Sequence, residues 1–246
     1  YIVWIKMLLN IHNYKSFLRI FVIFNDPIQF LFSLIFNKVP QQITLRTPIG
    51  KIDVNVRNYE SLKTIFSIFC REDYFIKKDC KNTFMDVGSN CGYSSLYFLT
   101  RNKDNNVICY EPDRKNLDFL KSNLKAFKNR SSIRNVGIAV ESGYSEFYLT
   151  ADGKYNSLLE MKDYDEKVTI ELVNFNDEID KCSDSDSLII KIDVEGIEKE
   201  LIKEIDFKNK ENVSRLIIES NDCSKLISRK HKRILVNGYV EHIIFQ

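Results

Sequence analysis

The chain predicts an α/β protein built on a doubly wound, mostly parallel sheet, and two observations carry that expectation. From residue 83 onward, short apolar strand patterns ("TFMDVG", "NVICYEP", "SLIIKIDV", "SRLIIES") alternate with helical ones ("YSSLYFLTR", "RKNLDFLKSNLKAF", "GIEKELIKEI"). Strands apolar on both faces and separated by helices belong to parallel sheets covered on both sides. The second observation is how the strands end. Asp86-Val87-Gly88, Glu111-Pro112, Asn135-Val136-Gly137, Asp193-Val194-Glu195-Gly196 and Glu219-Ser220 close them, and ligands of such sheets bind beyond the C-terminal strand ends.

The elements follow in order. Residues 1–37 are rich in apolar side chains, but Lys6, His12, Lys15, Arg19 and Asp26 interrupt them. A spanning helix needs about 18 uninterrupted apolar residues. No membrane span is therefore expected, nor a signal peptide, since no small-residue cleavage site follows a clean apolar core. Two or three amphipathic or buried helices are expected instead, packing on the main domain, on a partner or at a membrane surface. "QITLRT" and "KIDVNV" alternate apolar and polar residues as an antiparallel hairpin does, and "YESLKTIFSIF" reads as a helix. "SSIRNVGIAV" reads as a third strand, "YSEFYLT" with "KVTIELV" as a hairpin or insertion, "SKLISRKHKRILVN" as a helix and "YVEHIIF" as a final strand. The expected organisation is an appendage of helices and hairpin at 1–73 and one larger domain at 74–246.

Composition narrows the function. With 246 residues, 44% hydrophobic, the chain can bury a sizeable core, and a net charge of +2 gives no electrostatic case for nucleic acid. The six cysteines form no C-x-x-C pair and the three histidines no ligand spacing, so neither a disulfide framework nor a metal site is expected, and a cytoplasmic setting is the default.

"FMDVGSNCGYSS" runs strand, tight turn, helix. A dinucleotide fingerprint would place glycines at 88, 90 and 93, but Asn90 and Tyr93 occupy two of those positions, and Asp86 would repel a pyrophosphate. A nucleotide-sugar dehydrogenase is excluded on those residues. Glu111 closes the next strand, where such sheets place an acid over the two hydroxyls of a ribose; the plainer alternative is an acid serving the N-terminus of the helix after Arg114. A ligand with ribose and adenine, no phosphate, and tolerance for acids near the glycine loop describes S-adenosylmethionine. Asp86 then either attracts its amino end or orients the loop.

"FMDVGSNCGYSSLYF", "VICYEP" and, above all, "LIIKIDVEGIEKELI" followed by "RLIIES" resemble the FkbM family of S-adenosylmethionine-dependent methyltransferases, over roughly residues 74 to 240. "LRTPIGKIDV" and "IFCREDY" resemble the lead-in of such proteins. The resemblance implies a Rossmann-like, class I methyltransferase type of sheet. It also implies that Asp86, Gly88, Ser89, Asn90 and Gly92 line the methionine portion of the cofactor and Glu111 its ribose, with Pro112 and Asp113 close by. Asn135 to Gly137 would flank the adenine, with glycine standing at 137 where alanine is expected. Asp193 and Glu195 would lie beside the transferring methyl, and the acceptor would be a hydroxyl on a small molecule or glycan.

Methyl transfer from a sulfonium is an in-line displacement that needs alignment and, for a hydroxyl acceptor, removal of a proton. Asp193 or Glu195 is the base; alternatively Asp193 orients the acceptor while Glu195 serves the helix N-terminus. A divalent cation held by these two lacks a third ligand in the sequence. Lys191 falls on the opposite strand face from Ile190 and Ile192, within reach of a neighbouring acid. Glu219 is either a strand-end cap or a site residue, and Tyr155, Asn156 and Ser157 lie in a loop placed to gate the acceptor. The rival class is a module of the same fold that binds the cofactor without catalysis.

Overall fold

A computed structural model describes residues 11–77, 81–151, 153, 156–194, 196–220 and 222–246. Two helices open it, α1 (Ile11–Ile23) and α2 (Pro27–Phe36). Asp26 caps α2 by accepting the Gln29 amide at 2.8 Å, with Pro27 in the first turn where its missing N–H is not needed. The hairpin β1 (Gln42–Thr47) and β2 (Gly50–Asn55) and the helix α3 (Tyr59–Phe69) follow as the sequence predicts.

The main sheet has seven strands. β3 (Thr83–Val87) is an interior strand, with β4 (Asn106–Tyr110) and β5 (Ser131–Arg134) on one side. On the other lie β9 (Leu188–Ile192), β10 (Val213–Ile218), β12 (Val240–Phe245) and, at the edge, β11 (His231–Val236). The five strands from β5 to β10 are parallel, while β12 runs antiparallel to both its neighbours. This mostly parallel, Rossmann-like order is the class I methyltransferase type. The strand order reverses between β3 and β9, so the crevice for a ligand opens beyond Val87 and Ile192.

Alternation along the strands sets the two faces. Phe84, Val107 and Ile189 point to a core shared with α3, α4 (Tyr93–Leu99) and α5 (Arg114–Leu124). Ile20 of α1, Phe30 and Leu34 of α2, and Phe24 between the helices join that same core, so these helices pack on the main body. Met85, Ile190 and Leu216 point the other way, to α6 (Phe175–Asp180) and α7 (Glu198–Glu204). Among the described residues, no helix is long and apolar enough to cross a membrane.

Two sequence expectations are corrected. The stretch "SSIRNVGIAV" is two strands: β5 pairs with β4, then the chain breaks at Asn135-Val136, and β6 (Gly137–Ala139) pairs with β8 (Glu166–Asn174). β8 also pairs with β7 (Gly143–Leu149), the expected hairpin, to complete a separate three-stranded sheet. The break is pinned by the Asn135 amide, which donates to the carbonyls of Glu111 and Pro112 at 2.9 Å each.

The helix expected over 224–237 is instead a short 3-10 turn, Cys223–Leu226, followed by β11. The turn Asn237-Gly238, with φ of 51° and 80°, joins β11 to β12 as a hairpin. Such dipeptides favour hairpin turns because both central residues need positive φ. Lys232 and Arg233 keep the edge strand charged, which discourages pairing with another chain.

Candidate active site

A cavity of about 390 Å³ lies at the C-terminal ends of β3, β4, β9 and β10. Its floor is the loop after β3. Gly88 and Gly92 hold φ of +77° and +84°, which side chains resist. A Cβ on Gly88 would also sit 2.0 Å from the Asp193 carbonyl, so only glycine lets β3 and β9 close together here.

The amides of this loop are all engaged within the protein. Gly88 N–H and Ser89 N–H donate to the Tyr110 carbonyl, each at 3.1 Å, and Gly92 N–H donates to Ser89 O at 2.8 Å. Asn90 N–H donates to Glu111 Oε2 at 2.7 Å, and Cys91 N–H to Asn90 Oδ1 at 2.7 Å. A phosphate-binding loop aims such amides at the ligand instead. Ser89 completes the staple, its hydroxyl donating to Asp86 O at 2.7 Å and accepting from Tyr110 N–H at 3.1 Å.

Beneath the loop is a buried charge cluster. Asp86 and Lys191 are registered neighbours across β3 and β9, with 0% and 2% side-chain exposure. Lys191 Nζ lies 3.1 Å from Asp86 Oδ1 and 3.3 Å from Asp193 Oδ2, and donates to Gly88 O at 2.8 Å. Asp86 Oδ2 accepts from Ser94 and Ser95 hydroxyls at 2.6 and 2.5 Å. Burial works against the ammonium, but the charges of Asp86, Asp193 and Glu219 outweigh it and hold Lys191 above its ordinary pKa. Asp86 is thus bonded to Lys191 and to α4 behind the loop and is not on the cavity wall.

Glu111 stands on the opposite wall, 4% exposed. Its Oε1 accepts from Asp113 N–H at 2.9 Å and, at 3.4 Å, from the Asn116 amide. Burial pushes its carboxyl up to about 7, against the pull of the Asp113 and Asn90 amides. Asp113, expected close by, caps α5 by accepting Lys115 N–H at 2.9 Å, so Glu111 is not the cap of that helix. A carboxylate oxygen has two acceptor directions, and Oε2 spends only one on Asn90, so a hydroxyl donor can be received there.

The other expected site residues sort clearly. Gly88, Ser89, Asn90, Glu111, Pro112, Lys191 and Asp193 line the cavity. Gly92 and Asn135 support it from behind: a Cβ on Gly92 would meet Leu120 Cδ1 at 2.5 Å, and Asn135 braces the Glu111-Pro112 turn. Gly137 lines the wall that adenine was expected to meet, and a Cβ there would come within 2.7 Å of Leu172. Asp193 side-chain exposure is 33%. Glu195 and Tyr155 lie outside the described residues. Asn156 lines the cavity, its amide donating to Asp113 Oδ2 at 3.1 Å.

Sequence reasoning missed Tyr74 and Tyr239, which close the end of the cavity near Asp193. The Tyr74 hydroxyl donates to Glu219 Oε1, so Glu219 belongs to the cavity wall. Burial, with Glu219 and Asp193 close by, pushes the Tyr74 phenol well above its ordinary range and keeps it a donor. Tyr239 sits at the end of the β11–β12 turn and donates to Asp73 Oδ2 at 2.6 Å. The signal for Tyr239 was the Asn237-Gly238 dipeptide; Tyr74 carried none beyond its place after α3.

No protein-family model and no curated protein matches the chain. Solved structures do resemble it. Precorrin-6y C5,15-methyltransferase from Geobacter metallireducens covers 78% of this chain with 91% of its own, at 12% identity and TM-score 0.40. A Geobacter sulfurreducens methyltransferase covers 71% with 77% of its own, at 14% identity and TM-score 0.43. A Podospora anserina methyltransferase bound to S-adenosylhomocysteine covers 77% with 79% of its own, at 10% identity and TM-score 0.40. At these scores the fold assignment rests on the strand order itself.

Proposed function

We propose that this chain is an S-adenosylmethionine-dependent methyltransferase acting on a hydroxyl of a small molecule or glycan, with the FkbM family as its kin. One observation carries the reading above a phosphate-bearing cofactor: every amide of the glycine loop from Gly88 to Gly92 is already bonded inside the protein. The cavity wall supports it, since among its described residues the acids Glu60, Glu111, Asp193 and Glu219 outnumber the one cation, Lys191. Such a wall favours a cationic ligand and opposes a dianionic one.

The residues fit the cofactor. Pro112, Val136 and Ile138 offer an apolar wall to adenine, Glu111 Oε2 a hydroxyl acceptor to ribose, and the Gly88–Asn90 loop a polar end to the amino acid. When bound, S-adenosylmethionine supplies an electrophilic methyl on a sulfonium. The chain contributes alignment and proton handling. Lys191 fixes the Asp193 carboxylate at the cavity edge, where it receives a hydroxyl hydrogen bond from the acceptor. Methylation makes that oxygen strongly acidic, so its proton passes readily to the hydrogen-bonded carboxylate. Glu195 is the second candidate for that role. Glu219, held by Tyr74, orients further hydroxyls of the acceptor. The 1–73 segment serves as an appendage to the 74–246 domain, and the protein works in the cytoplasm.

Calorimetric titration of S-adenosylmethionine into the chain tests the reading, and absence of binding overturns it. Asp193→Asn and Glu195→Gln then separate enzyme from silent module. In a methyl-transfer screen with labelled donor, loss of about 10²- to 10⁴-fold in at least one variant, with cofactor affinity kept, is expected of a base. Unchanged transfer in both favours the module.

A further inference from the structure

The helices α1 and α2 carry apolar residues on two faces each. One face enters the core through Ile20 on α1 and Phe30 and Leu34 on α2. The other is exposed. Tyr14, Leu18, Phe21 and Val22 on α1, and Ile28, Phe32, Ile35 and Phe36 on α2, project outward. Both sets are spaced i, i+4, i+7, i+8, a single stripe along each helix. Eight large apolar side chains on adjacent helices form a patch of the kind that marks an interaction surface.

Charge selects the occupant. Residues 1–51 contain six cations (Lys6, Lys15, Arg19, Lys38, Arg46 and Lys51) and one acid, Asp26, whereas the remaining chain has thirty cations and thirty-three acids. Asp26 is committed to capping α2. Lys15 and Lys38 are exposed, and Lys38 Nζ lies 5.6 Å from the Phe32 ring, at the border of the stripe. Arg46, also exposed, donates to the carbonyls of Phe21 and Asn25, at 3.1 Å each, beside the end of α1.

We propose that the outward faces of α1 and α2 dock on an anionic lipid surface. An apolar stripe with aromatic side chains and bordering cations sinks into the headgroup boundary while its cations meet acidic lipids. A second copy on the same face would bring two cationic borders together, because a two-fold contact is self-complementary. Among the described residues no helix is long and apolar enough to span a bilayer, so the proposed contact is with the surface. None of the stripe residues lines the cavity, so this docking stands independently of the methyltransferase reading.

The full chain is sedimented with vesicles of phosphatidylcholine alone and of equal parts phosphatidylcholine and phosphatidylglycerol. Binding to the mixed vesicles that weakens with salt is expected. Replacing the exposed Ile28, Phe32 and Ile35 together by serine abolishes it, with circular dichroism and melting unchanged. Lys15→Gln and Lys38→Gln each lower affinity about five-fold, from about 1 kcal/mol per charge near an anionic surface. No sedimentation, equal binding to both vesicles, or undiminished binding by these variants overturns the proposal. So does a concentration-dependent dimer, abolished by the serine variant, in a chain that ignores vesicles; the occupant is then a second copy.

Discussion

The two ends of the cavity hold buried acids by opposite means. Under the glycine loop, Asp86 and Asp193 share a cation, Lys191, and two serine hydroxyls complete the shell of Asp86. Across the cleft, Glu111 has amide donors, from Asn90, Asp113 and Asn116, and no cation among the described residues. Neutral dipoles compensate a buried charge less fully than an ammonium does, so burial still lifts the Glu111 carboxyl to about 7. The lesson is a division of labour: the cation-bearing end is a fixed structural cluster, while the amide-held end is tuned near neutrality and responds to pH and ligand.

The largest break in this contrast comes from removing the cation. Lys191→Met leaves Asp86 buried without its charge partner and is expected to destabilise the fold by about 3–5 kcal/mol. A shift in urea midpoint with the slope unchanged reads it out, and a midpoint near that of the parent would show that the serines alone suffice.

Glu111 gives the next effect, and it appears as a pH dependence. A carboxyl whose folded pKa stands near 7 instead of 4.5 binds its proton more tightly when folded. Its contribution to stability is complete below pH 4.5 and is lost as pH rises to about 7, a swing of about 3 kcal/mol. Glu111→Gln removes that slope. S-adenosylmethionine affinity runs the other way, rising as pH passes 7, because an ionised acid receives ribose hydroxyls more strongly. A stability profile equally steep in the glutamine variant would assign the slope elsewhere.

Gly88→Ala sharpens the comparison at the seam between the ends. Its Cβ must displace the Asp193 carbonyl, and a misplacement of about 1 Å is expected to lower methyl transfer about a hundred-fold. A variant as active as the parent would mean that β9 yields without disturbing Asp193. Tyr74→Phe is the mildest change. It removes one hydrogen bond to Glu219, about 1 kcal/mol, and is expected to raise acceptor KM while leaving cofactor affinity intact, measured by steady-state kinetics and calorimetry.

The glycine-loop half of the cavity was largely legible in the sequence because it is written by strand ends. Strand, turn and helix are contiguous there, so "DVGSNCG" and "YEP" carry their own geometry, and the loop and Glu111 fall where the pattern puts them. The Lys191–Asp86 pair needed only the alternation of β9 and the register between parallel strands. The far end was not legible, because Tyr74, Glu219 and Tyr239 come from three distant segments brought together by tertiary packing. Misreading "SKLISRKHKRILVN" as a helix hid the hairpin that delivers Tyr239: its basic residues suit a helix face and a charged edge strand equally well, and the turn dipeptide was the deciding mark.

That hairpin has a consequence for how the molecule can change. The glycine-loop wall is locked by register, since Gly88, Asp193 and Lys191 cannot move without shifting β3 against β9. Tyr239 is presented by three residues at a chain reversal, clamped to the body through Asp73. Insertions and exchanges at such a reversal leave the sheet untouched. Under the proposed function, substrate preference can therefore drift, or be re-engineered, by rewriting a tip of the hairpin, while the glycine-loop side of the cavity is inherited unaltered.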